Sequence, residues 1–159
     1  MYPEMRRKKQ ALSPAACDAI LQAGTSGVLA LAGADGQPYA VPLSYVYHEG
    51  KIYFHCAKAG HKLDLLDQNT KVSFCVIGQD QVVPEQYTTY YRSVIVFGTV
   101  RELTDPAEKR AAIEALALRY APDETDAARA AEIDRYWDEL CMLELAPDHI
   151  TGKQCIELV

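Results

Sequence analysis

A chain of 159 residues has the length of one domain, and its formal charge of −6 argues against broad attraction to nucleic-acid phosphates, which needs clustered Lys and Arg. Apolar residues make up 49% and charged residues 24%, the balance of a globular protein able to bury a sizeable core. No apolar run approaches the ~20 residues that a membrane-crossing helix needs, and no apolar h-region follows the basic arm Arg6-Arg7-Lys8-Lys9. The expectation is a cytoplasmic protein without a membrane span, its arm either solvated or in contact with an anion.

In chain order, Ser13-Pro14 opens a helix, with Ser13 as N-cap and Pro14 at the first helical position, and Gly24 stops it. Gly27 to Leu31 is an apolar strand, and Asp35-Gly36 turns it back onto a strand running from Gln37 to Tyr47. Glu49-Gly50 makes a second turn into Lys51 to Cys56, whose residues alternate in polarity. Connections this short predict a three-stranded antiparallel meander.

A short helix follows over 60–69, carried by Leu63, Leu65 and Leu66, with Asn69 at the expected left-handed terminus. Lys71 to Ile77 reads as a fourth strand and Gly78 to Gln86, with Pro84, as a loop. Tyr87 to Leu103 is long enough for one bent strand or two linked ones. Asp105-Pro106 starts a helix with Ala112, Leu116 and Tyr120 on its apolar stripe, and Asp126 to Trp137 forms another. Leu140 to Leu145 and Thr151 to Leu158 return to strand character. Strands dominate the centre, so the fold class is α+β, mainly β: a single domain over 1–159 built on a six-stranded antiparallel barrel with peripheral helices.

Five cysteines, odd in number and widely spaced, read as reduced thiols. No CxxC or HxxxH spacing suggests a metal. The segment His55-Cys56-Ala57-Lys58-Ala59-Gly60-His61-Lys62 runs from a strand through a glycine loop into a helix start. Free amides, the helix dipole and Lys62 could gather an anion there, or these side chains simply face solvent. It is neither a P-loop nor GxGxxG. Pro42, inside Val41-Pro42-Leu43-Ser44, removes a ladder donor and marks an edge or bulge, either blunted against aggregation or open to a planar ligand. Tyr87 to Val94 places three tyrosines beside Arg92, suited to an interface or to the barrel wall. Trp137 is either a helix-to-core anchor or a ligand stack, while His48 and His149 look like turn residues.

Taken together, 27–31, 37–45, the His55 to Lys62 segment and Ser93-Val94-Ile95-Val96-Phe97-Gly98-Thr99-Val100 resemble the FMN-binding split-barrel superfamily related to pyridoxamine 5'-phosphate oxidase. Met5-Arg6-Arg7-Lys8 and Ile150-Thr151-Gly152-Lys153-Gln154 are similar to its 5-nitroimidazole-resistance (Nim-type) branch. The resemblance implies a homodimer holding FMN at the subunit interface. It implies that His61 and Lys62 hold the phosphate and that Val41, Pro42, Leu43, Ser44, His55, Cys56 and Ala57 line the ribityl chain and ring edge. Tyr91, Arg92 and Ser93 would then approach from the partner subunit.

The implied activity is an FMN-dependent oxidoreductase reducing small nitroaromatic substrates, with His61 as the catalytic candidate that donates a proton. The alternatives are flavin binding without turnover, for storage or sensing, and a haem-binding split barrel with His55, His61 or His149 as ligand. Vitamin B6 oxidation is disfavoured, because the ending Gln154-Cys155-Ile156-Glu157-Leu158 replaces the Arg-rich terminus of those oxidases.

Overall fold

The computed structural model describes residues 1–159. A helix with Ser13 as its N-cap, α1 (Pro14–Ala23), precedes a seven-stranded, wholly antiparallel sheet. The Ser13 hydroxyl accepts from the Ala16 amide at 3.2 Å, satisfying one of the orphan donors of the first turn. The strands are β1 (Ser26–Ala32), β2 (Pro38–Ser44), β3 (Val46–His48), β4 (Lys51–Ala57), β5 (Lys71–Val83), β6 (Thr88–Glu102) and β7 (Leu140–Gln154). Three further helices are inserted: α2 (His61–Gln68), α3 (Pro106–Tyr120) and α4 (Asp126–Tyr136). No helix is long and apolar enough to cross a membrane.

The strand order is β2-β1-β5-β6-β7-β4-β3, which corrects the expected meander. The segment expected as one strand from Gln37 to Tyr47 breaks at Tyr45, raising the strand count from six to seven. Its first half pairs with β1 at one edge of the sheet and its second half with β4 at the other. Tyr45 is the reason. Its side chain is fully buried, its phenol donates to the Leu21 carbonyl at 2.7 Å, and its amide bonds the Thr25 carbonyl rather than a ladder partner. Because β2 and β3 are consecutive in the chain yet lie at opposite ends of the order, the sheet must curl until its edges approach.

Inside the curl, Leu29, Leu31, Ile52, Phe54, Phe74, Val94, Val96 and Leu143 join Tyr45 and α1 residues Cys17 and Leu21 in the main core. Phe74 meets Tyr45 and Phe54 edge-on at centroid separations of 5.1 and 5.0 Å. A second cluster seats α3 and α4 on the outside of β3, β4 and β7, through Ile113, Leu116 and Ile133 against Val46 and Met142. Cys141 to Leu145 are therefore buried on both faces, which is why that run lacks strand alternation. Arg101 ties α3 to the sheet by bridging Glu108 at 3.0 Å and the buried Glu144 at 2.9 Å. Desolvation would raise the Glu144 carboxyl, but hydrogen bonds from Arg101 and Lys51 outweigh it and hold the group below its ordinary value.

Several local expectations need correction. Residues 78–83 do not loop out: after a bulge between Ile77 and Gln79, β5 continues against β6 to Val83, and the hairpin closes at 84–86 with Tyr87 left-handed. Leu140 to Leu145 and Thr151 to Gln154 lie on one continuous final strand, β7, and the strand character expected on to Leu158 gives way to a short 3-10 turn over Ile156–Leu158. Asn69 is extended, not left-handed; its side chain ends α2 by accepting from Lys71 and donating to Ala32. His149 lies within β7, stacked by Tyr2 at 5.0 Å, and His48 ends β3. Trp137 follows the last turn of α4 and packs on the second cluster, with the Lys109 ammonium 4.3 Å above its ring. All five cysteines are free thiols; Cys17, Cys141 and Cys155 are buried, Cys56 and Cys75 half-buried.

Candidate functional site

The β4–α2 junction forms as the residues require. Gly60 has φ 149°, a conformation side-chain-bearing residues rarely adopt, and a Cβ there would meet nothing. The turn lets the chain leave β4 and start α2 at once. The first helical bonds are those of the Leu63 and Asp64 amides to the Gly60 carbonyl, at 3.0 and 3.1 Å. The amides of His61 and Lys62 precede them and belong to the set with no helical acceptor. His61 is exposed, and its ring meets Tyr39 of β2 edge-on at 4.8 Å. Lys62 is half-buried beside Cys56. Burial pushes the Cys56 thiol up, the Lys62 charge opposes that shift, and the paired Cys141 thiol is pushed up to about 12, chiefly by burial.

Of the residues expected along a cofactor, Pro42 and Ser44 point out of β2 and are exposed, whereas Val41 and Leu43 pack on the core. β2 is an edge strand, as Pro42 requires. On β4, His55 and Ala57 face outward, while Cys56 packs toward the core. The Tyr39–His61 contact sets the start of α2 against the inner side of β2, the side that Tyr39 shares with Val41 and Leu43 and opposite to Pro42 and Ser44. Tyr91, Arg92 and Ser93 sit elsewhere, on β6 at the base of the long hairpin. There Arg92 donates to Gln79 at 2.8 Å and Gln154 at 3.2 Å. One chain does not join these three to the His61–Lys62 corner by any hydrogen bond.

Beside β2 the outer surface of the sheet is apolar and open. Pro42, Val28, Cys75 and Ile95 stand in one row across β2, β1, β5 and β6. Val28 and Ile95 remain 39% and 38% exposed, although they lie at the middle of a sheet. Sequence reading did not single out this row, which exists only once the register is known. It also gave no role to Tyr39, and it placed Tyr120 only on an apolar helix stripe, whereas the Tyr120 hydroxyl accepts from the Tyr45 amide and lies within donating reach of the Thr25 and Tyr45 carbonyls, bracing the strand break.

The corner fits a phosphate-bearing group. Two backbone donors, the Lys62 ammonium and the exposed Lys58 stand near one glycine turn, with Asp64 the one acid in the first turn. An anion there would use Lys62 as a charge-assisted donor.

The fold recurs in solved structures. A candidate 5-nitroimidazole antibiotic resistance protein from Bacteroides thetaiotaomicron is 21% identical with a TM-score of 0.77, covering 91% of this chain and 86% of its own. The conserved protein Rv2991 from Mycobacterium tuberculosis is 19% identical, TM-score 0.83, with 98% and 92% covered. An FAD and haem binding protein from Mycobacterium smegmatis is 24% identical, TM-score 0.76, with 93% and 74% covered. No curated protein matches the sequence. Residues 13–154 match the pyridoxamine 5'-phosphate oxidase family, a span from the N-cap of α1 to the last residue of β7 that contains the whole sheet and the glycine-turn corner. The chain belongs to that family.

Proposed function

We propose that the protein is an FMN-dependent oxidoreductase of the nitroimidazole-reductase type, working in the cytoplasm as a homodimer. The observation that carries the reading is the helix start at Gly60-His61-Lys62, where two free backbone amides and the Lys62 ammonium meet beside Tyr39 of the edge strand β2. Lys62 and the His61 and Lys62 amides would hold the phosphate. Ser44, His55 and Ala57 would offer a hydroxyl, an imidazole and a small surface along the polyol and ring edge, and the unpaired edge of β2 would offer backbone groups. Bound there, FMN would supply electrons for reduction of a nitro group. His61, exposed and oriented by Tyr39, would give a proton to a nitro oxygen.

The row Pro42, Val28, Cys75 and Ile95 supports the dimer, since apolar residues in register on an open face are what a second copy would cover. Facing copies would also bring Tyr91, Arg92 and Ser93 of one protomer toward the other's cofactor. Ile95→Glu is expected to weaken the dimer by about 2–3 kcal/mol per copy, the cost of burying an unpaired polar group, with flavin loss in parallel. Sedimentation equilibrium reads this; an Ile95→Glu protein with unchanged mass would place the interface elsewhere.

Turnover is tested by reducing the flavin-loaded protein without oxygen and mixing it with a 5-nitroimidazole. The expected result is reoxidation of the flavin, each reduced flavin giving two electrons, with formation of the amine and two waters at three reduced flavins consumed per nitro group. Persistence of the reduced flavin would leave a flavin-binding protein without this reaction.

A further inference from the structure

Two of the five thiols stand together in the fold. Cys56, near the end of β4, lies directly opposite Cys141, at the start of β7, in antiparallel register. Both belong to the inner side of the sheet, where Cys141 is 2% exposed and Cys56 packs half-buried against the core. Directly opposed residues of an antiparallel pair have their Cα atoms about 4.5 or 5.5 Å apart. A disulfide spans roughly 4.4–6.8 Å between the same atoms, so the backbone is already in place for the bond. No other two cysteines are paired in register: Cys75 is opposed by Val28 and Ile95, Cys17 lies on α1, and Cys155 follows the end of β7.

Two charged groups act on the pair. The Lys62 ammonium favours the Cys56 thiolate, against the burial that raises that thiol. The Glu102 carboxylate, exposed at the end of β6, acts on Cys141 through both charge and a hydrogen bond. At Cys141 burial is the largest influence, and Cys56 and Glu102 raise the thiol further. The two thiols are therefore not equivalent. Cys56, less covered and beside a cation, is suited to attack an oxidant. Cys141, enclosed and beside a carboxylate that can take its proton, is suited to close the bond.

We propose that Cys56 and Cys141 are a reversible redox pair, which a hydroperoxide oxidises to a disulfide between β4 and β7. The Cys56 sulfur attacks a peroxide oxygen and the O–O bond breaks, so that the thiol and ROOH give the Cys56 sulfenic acid and ROH. The Cys141 sulfur then attacks the Cys56 sulfur. Its proton passes through Glu102 to the departing hydroxide, which leaves as water. In all, two thiols give up two electrons and two protons, and one peroxide becomes one ROH and one water. A dithiol reductant reverses the bond. No flavin takes part in either step, so the pair stands apart from the nitroreductase reading.

The test uses the purified protein, reduced, desalted and treated with a small excess of hydrogen peroxide, then unfolded in N-ethylmaleimide and digested. Free thiols should fall from five to three, with one linked peptide pair joining Cys56 to Cys141, and dithiothreitol should restore all five. Cys141→Ser should hold Cys56 as the sulfenic acid, captured by dimedone added on unfolding, and Cys56→Ser should leave Cys141 reduced. Glu102→Gln should slow closure about tenfold or more. Cys75 is the internal control, half-buried like Cys56 but with no thiol opposite. Five thiols surviving the peroxide, a bond between any other cysteines or between chains, or oxidation of Cys75 ahead of Cys56 overturns the proposal. Unchanged closure in Glu102→Gln overturns the proton's route through that carboxylate. If Cys141→Ser fails to fold, the linked peptides of the parent protein decide alone.

Discussion

Tyr45→Ala is expected to cost about 3–5 kcal/mol of unfolding free energy, the scale for truncating a fully buried aromatic. Tyr45 is the point where the chain crosses from one edge of the sheet to the other, and several interactions meet on it. Its ring packs on Phe74, its hydroxyl bonds Leu21 near the end of α1, and a Cβ at Gly24 would collide with that hydroxyl. Tyr45→Phe keeps the ring and loses the hydrogen bond, so about 1–2 kcal/mol is expected. Guanidinium titration separates the two. The ratio matters: a Phe variant as unstable as the Ala variant would show that the hydrogen bond to α1, not the packing, fixes the break.

Alkaline pH gives an independent reading of the same residue. Burial pushes the Tyr45 phenol up to about 12, so in the unfolded chain it ionises first, near the ordinary value of about 10. Its contribution is therefore complete below that ordinary value and declines as pH rises toward the folded one. Tyr45→Phe should lose stability less steeply over that interval. An identical slope would contradict the burial.

Lys62→Ala is expected to weaken FMN retention by about 1–3 kcal/mol, the scale of a charge-assisted hydrogen bond. Lys58 provides the control, since it lies exposed on the loop before the helix and its removal should cost less than about 1 kcal/mol. Fluorescence titration of FMN into each flavin-stripped variant measures the difference. If Lys62→Ala binds as well as the parent, Lys62 does not hold the phosphate. If both lysines matter equally, a diffuse positive field is at work instead of a built corner.

The local features legible in the sequence were those that a few neighbouring residues decide. Ser13-Pro14, Asp105-Pro106 and the glycine at Gly60 specify their helix starts by capping and φ alone, and Pro42 marked its strand as an edge. What stayed hidden depends on distant partners. Nothing near Tyr45 announces that its amide will bond Thr25 and Tyr120 and so abandon the ladder. Gly78 and the polar run after it read as a loop because the hairpin they extend faces solvent on both sides; pairing with β6, not burial, holds them in a strand.

The candidate site divides in the same way. Gly60-His61-Lys62 was visible as a strand-to-helix turn with basic residues. Which side of each strand packs inward was not, because alternation along β2 and β4 has no phase until the core claims Tyr39, Val41, Leu43 and Cys56 and leaves Pro42, Ser44, His55 and Ala57 outside.

The most direct measurement is the absorption spectrum of the purified protein, followed by titration of the flavin-stripped chain with FMN. Flavin bands and saturation at about one FMN per chain are expected, the stoichiometry of a two-site dimer. A colourless protein that takes up no FMN, or a Soret band in place of flavin bands, would contradict the account.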